Sequence, residues 1–88
     1  MQVQPPLTRE QIAELAKAAA LKDGYRDPVV QRISDIRQRN AAYSSKWRVS
    51  LIIIDEDGKR WHGSTEVVYL NPQSYFAEPK IKILRPAP

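Results

Sequence analysis

The sequence predicts a two-layer α+β domain, an N-terminal helical hairpin packed on a three-stranded antiparallel sheet in the order ααβββ. Three observations predict it. Apolar residues recur at helical spacing in two capped segments before Asn40. After "YSSK" (43–46) the period changes to two, as in half-buried strands. The "DEDGK" stretch (55–59) then separates two alternating segments as a hairpin turn would.

The first helix starts at Thr8, an N-cap with Gln11 three residues later to complete a capping box. Leu7 and Ile12 are placed to form a hydrophobic staple across that cap. Ile12, Leu15, Ala16 and Ala19 form one apolar stripe, mostly alanine, so another backbone can approach closely. Gly24 ends the helix by taking a left-handed conformation, and Leu21 falls opposite the stripe. The second helix is expected from Asp27, as cap, and Pro28, at the first helical position, to about Asn40. Val29, Val30, Ile33 and Ile36 supply its stripe. The short "DGYRD" link (23–27) makes the two helices antiparallel neighbours.

Strands are expected over about 46–55, 59–69 and 80–84. The hairpin has two candidate registers, and side-chain chemistry separates them. A two-residue Asp57-Gly58 turn sets Glu66 against Val49 and His62 against Ile53. A three-residue turn, Glu56-Asp57-Gly58 with Gly58 left-handed, pairs Ile53 with Trp61, Val49 with Thr65, Trp47 with Val67 and Arg48 with Glu66. The second groups like with like and pairs opposite charges, so it is preferred. It puts Trp47, Val49, Leu51, Ile53, Trp61, Val67 and Tyr69 on a face for the helices to cover, with both tryptophans largely buried. The other face is mixed: Arg48, Ser50, Arg60, His62 and Glu66 beside Ile52, Ile54 and Val68. Asn71 and Pro72 suggest one helical turn, with Tyr75 and Phe76 plugging the core. "KIKIL" (80–84) turns Ile81 and Ile83 inward and leaves Lys80 and Lys82 outward as edge guards. Residues 1–7 read as an extended N-terminal segment, 8–84 as one domain and 85–88 as a Pro-rich tail.

Composition narrows the function. The chain has 88 residues, 42% hydrophobic and 27% charged, which suits one globular domain and not a disordered segment. With no cysteine, disulfides, thiolate metal sites and cysteine nucleophiles are excluded. No apolar run approaches a membrane span and no signal pattern opens the chain, so a cytoplasmic protein without a membrane partner is expected. The net charge of +4 lies wholly between Arg26 and Arg48, where six basic residues meet two acidic ones. That placement invites an anionic partner.

His62, the only histidine, has Ser64 and Glu66 near it in sequence, but they share a flat strand face and match no triad or metal spacing. No glycine-rich phosphate loop is present either. No catalytic residue, metal or cofactor is therefore expected. The expected function is a small non-catalytic binding module acting through protein contacts. Its interface residues are Ile52, Ile54, Val68 and His62. If strand order follows the chain, the 47–55 strand is an edge, long and nearly uncharged, that pairs with a second copy to give a homodimer. The alternative is nucleic-acid binding through Arg32, Arg37, Arg39, Lys46 and Arg48.

Overall fold

The structure is a computed structural model that describes residues 8–36, 45–71, 74–77 and 81–88. Its elements are one helix, α1 (Arg9–Lys22), and five strands: β1 (Arg26–Ile36), β2 (Ser45–Ile54), β3 (Arg60–Asn71), β4 (Ser74–Ala77) and β5 (Lys82–Pro86). The class is α+β, but the predicted helical hairpin over three strands is wrong. The described residues hold a single helix on an antiparallel sheet of order β1-β2-β3-β4, with β5 also paired to β3.

The first helix forms where its cap directs. The Thr8 hydroxyl accepts from the Gln11 N–H at 3.1 Å, and the Thr8 N–H donates to Gln11 Oε1 at 2.9 Å. Ile12, Ala16, Ala19 and Ala20 are buried, and Leu15 packs beside them. Gly24 is left-handed at φ 92°, and Leu21 stays exposed. Leu7, the other half of the expected staple, lies outside the described residues.

The segment read as a second helix is β1. Four β-branched residues favour a strand there, and bulges disguise the pattern. The register with β2 shifts between Arg26 and Val29, and again between Val30 and Arg32. The second shift leaves Gln31 as an extra residue. Val30 therefore opposes Leu51, and Ile33 opposes Val49, both core residues on one face of β2. Two residues three apart thus share a face, which imitates the helical period. Asp27 does not cap a helix; it takes φ 47° at the first bulge, and Pro28 follows it there. Residues 37–44, including Arg37 and Arg39, lie outside the described residues.

The β2–β3 hairpin has the preferred register, with Ile53 opposite Trp61, Val49 opposite Thr65, Trp47 opposite Val67 and Arg48 opposite Glu66. The Asp55 N–H donates to the Lys59 carbonyl at 2.9 Å, and Gly58 sits at φ 81°. The Asp55 carboxylate holds the turn. It accepts from the N–H groups of Asp57 and Lys59 and, at 2.8 Å, from Trp61 Nε1. The bond from Trp61, followed by those from the backbone, holds its pKa below the usual carboxylate value of 3.8. A depressed folded-state pKa means stability that is present above the unfolded pKa and lost as pH falls through the folded one. The stability gap between wild type and Asp55→Asn is therefore expected to narrow as pH drops below about 3.8. Urea unfolding followed by tryptophan fluorescence at neutral and strongly acidic pH checks this. An unchanged gap would mean that the carboxylate charge does nothing for the turn.

The second edge of β3 is shared. Its C-terminal half pairs with β4 and its N-terminal half with β5, so β4 and β5 act as one interrupted fourth strand. A strand at Ser74–Ala77 replaces the predicted helical turn; Pro72 and Gln73 lie outside the described residues. The 47–55 strand is central, not an edge, because β1 and β3 occupy both its sides.

The core lies between α1 and one face of the sheet. Val49, Leu51, Ile53 and Val67 have no exposed surface, and the alanine stripe of α1 lets the helix backbone sit close above them. Trp47 and Trp61 pack on the rim of this core, half-buried instead of largely buried. Ile81 closes one end over Gly63, its N–H donating to Asp23 Oδ2 at 2.9 Å. Ile83 was expected inward, yet it lies opposite Gly63 on an outer strand and is 39% exposed.

Candidate binding face of the sheet

Helix α1 covers one side of the sheet. No described element covers the other, and strand alternation decides what appears there. Register assigns the side chains in rows. Val29, Ile52, His62 and Arg85 form one row across β1, β2, β3 and β5. The next is Arg32, Ser50, Ser64 and Lys82, followed by Ser34, Arg48 and Glu66. Arg26, Ile54 and Arg60 stand at one end of the face, and Lys46 with Val68 at the other.

Bases outnumber acids on this face. Arg26, Arg32, Lys46, Arg48, Arg60, Lys82 and Arg85 lie in these rows against Glu66 alone. Glu66 partly neutralises two of them, with Lys46 Nζ at 2.6 Å and Arg48 Nη2 at 3.7 Å. Among the described residues, Arg32, Arg60, Lys82 and Arg85 form no ion pair. Acidic side chains gather elsewhere, at the hairpin tip and the end of α1. Asp23, Asp55, Glu56 and Asp57 line a hollow there with Gly24 and Tyr25. Burial, then the charges of Asp23 and Asp55, push the Tyr25 hydroxyl pKa upward. Such segregation gives the molecule a basic face and an acidic end, and so a field that orients approaching charged partners.

The four interface residues expected from sequence all sit on this face, but not as one patch. Ile52, Ile54 and His62 are neighbours, while the Ser50–Ser64 and Arg48–Glu66 pairs separate them from Val68. At about 3.4 Å per residue, His62 and Val68 stand roughly 20 Å apart along β3. Of the basic set, Arg32, Lys46 and Arg48 come together here. Sequence reasoning omitted Arg60, Lys82 and Arg85 from that set, although outward alternation of Lys82 with Ile81 and Ile83 was a usable signal.

The middle of the face is hollow. Arg48, Ser50, Ser64, Glu66, Lys82 and Leu84 line a depression of about 230 Å³. This is smaller than the clefts that enclose whole metabolites. His62 is half-buried beside it with no ion pair among the described residues, so no acid–base pair is assembled. Among the described residues no three His, Asp or Glu side chains converge as a metal site, and no helix is long and apolar enough to cross a membrane. Comparison with protein-family models, curated proteins and solved structures finds no match to this chain.

Proposed function

We propose that the protein is a non-catalytic binding module whose open sheet face docks an acidic segment of a different protein. The observation that carries this reading is the seven-to-one excess of bases over acids on a face with interspersed aliphatic side chains. Arg and Lys draw the segment in, and Val29, Ile52, Ile54 and Leu84 offer it apolar contact. Val29 and Leu84 are 53% and 49% exposed, which leaves that contact area available. The described aromatic side chains of the sheet, Trp47, Trp61 and Tyr69, pack toward the helix. These three cannot serve as stacking platforms on the open face.

A homodimer fits this geometry poorly. Edge pairing through 47–55 has no free edge to use. Face-to-face pairing would oppose two sets of like charges, which is destabilising. With no cysteine to pair, the chain suits the reducing cytoplasm.

The test compares a synthetic peptide alternating Glu and Leu with single-stranded DNA and duplex RNA of equal charge, over a salt series. The peptide is expected to bind most tightly at each salt concentration and to weaken as salt screens the face. Arg32→Glu combined with Arg48→Glu is expected to weaken it by about tenfold or more, since each tenfold is about 1.4 kcal/mol. Tighter binding of nucleic acid would replace this reading with a nucleic-acid function for Arg32, Lys46 and Arg48. Binding of none of the three ligands would overturn both.

A further inference from the structure

The hollow at the centre of the open face is chemically distinct from the charged surface around it. Ser50 and Ser64 are cross-strand partners and form its floor. Ser64 is only 8% exposed, yet no described side chain hydrogen-bonds its hydroxyl. No buried side-chain oxygen among the described residues lacks a partner, so the Ser64 hydroxyl keeps access to the hollow. Arg48 rises on one side and Lys82, directly opposite Ser64, on the other. Glu66 is the one carboxylate at the rim, and Lys46 and Arg48 hold it. Three cations against one carboxylate leave a local charge of about +2.

We propose that this hollow receives a phosphoryl group carried by the docked segment, a phosphorylated serine or threonine side chain. The inference rests on the docking function proposed above and names the group at its centre. A phosphoryl monoester carries between about −1.5 and −2 charges at neutral pH and three strong acceptor oxygens. Two hydroxyl donors, a guanidinium and an ammonium can supply all three acceptors and oppose that charge. A carboxylate has half the charge and leaves donors unused. The hollow is also small enough for such a group and too small for a nucleotide base with its sugar.

The experiment uses the whole chain, ¹⁵N-labelled, at constant ionic strength. Inorganic phosphate and acetate are titrated separately, followed by the Glu/Leu peptide with one central serine, unmodified and phosphorylated. Phosphate is expected to shift the amides of Ser50, Ser64 and Lys82 saturably, and acetate only weakly. The phosphorylated peptide is expected to bind about tenfold more tightly than the unmodified one, as charge-assisted hydrogen bonds to a dianion allow. Ser64→Ala is expected to reduce that advantage to within about twofold while leaving the unmodified peptide's affinity nearly unchanged, and the exposed, structurally milder Lys82→Gln is expected to weaken the phosphorylated peptide more than the unmodified one. Equal binding of the two peptides overturns the phosphoryl site and leaves the docking function standing. Acetate saturating as well as phosphate makes the hollow a carboxylate site and overturns it likewise. Saturation by phosphate with no binding of either peptide keeps the hollow as an anion site but overturns the docked phosphoryl side chain together with the docking function.

Discussion

Leu51→Ala is expected to lower the free energy of unfolding by about 2–5 kcal/mol, the range for emptying a well-packed aliphatic site. Leu51 sits at the middle of the central strand, with Val30 on one side and Gly63 on the other. It has no exposed surface. The helix above it presents Ala16, Ala19 and Ala20, side chains too short to swing into a void. Gly63 has none to offer. The hole left by truncation therefore stays open, and the cost falls toward the upper part of the range. Small domains are stable by only about 5–15 kcal/mol, so the variant loses a large share of its stability. Ile52, one residue along and half-buried on the open face, provides the control. Urea midpoints for Leu51→Ala and Ile52→Ala should differ clearly; equal losses would mean that the two faces of β2 are assigned the wrong way round.

Gly63→Ala should also destabilise, by about 1–3 kcal/mol, although the same change in an extended strand ordinarily helps by restricting the unfolded chain. Local contact decides the sign. A methyl at this position would lie 2.8 Å from Ile81 Cγ2, 3.2 Å from Ile53 Cδ1 and 3.3 Å from the Lys82 carbonyl oxygen. The first is inside van der Waals contact, and Ile81 is not free to retreat. Its backbone N–H is tied to Asp23 at the end of α1, and its side chain is 6% exposed. Relief comes only by moving the start of β5 off β3. The double change Gly63→Ala with Ile81→Ala removes the clashing Cγ2, so its loss should be smaller than the sum of the two single losses. Thermal unfolding of the single and double variants measures both effects, and a Gly63→Ala variant as stable as wild type would show that β5 yields freely.

The hairpin was legible because its register is over-determined. A left-handed Gly58, a charge pair at Arg48 and Glu66, and apolar partners on one face all require the same alignment. Helix α1 was legible through the reciprocal bonds of Thr8 and Gln11. β1 was not, because Gln31 is an inserted residue that turns a period of two into an apparent three. Asp27-Pro28 completed the disguise, since the same dipeptide that begins a helix well also suits a bulge. The basic face was only half visible. Counting charge along the chain found Arg32, Lys46 and Arg48, but the contribution of Lys82 and Arg85 depends on β5 lying beside β3. The hollow had no signature at all, because two serines in alternating strands are unremarkable until pairing sets them side by side.

The shared edge of β3 also bears on how the domain assembles and opens. β1 with β2, β2 with β3, and β3 with β4 join neighbours in the chain, so each closes a short loop. β5 is the exception: it reaches β3 past β4 and holds it through four residue pairs, with all five of its side chains exposed. Loss of those pairs costs less than disturbing the central hairpin, so β5 belongs to the low-stability end of the native ensemble. Its amide protons should exchange with solvent well before those of β2. The wall of the hollow at Lys82 therefore opens more readily than the central hairpin. A ligand that grips Lys82 and Ser64 together would act as a clasp, slowing the fraying of the strand that completes its own site.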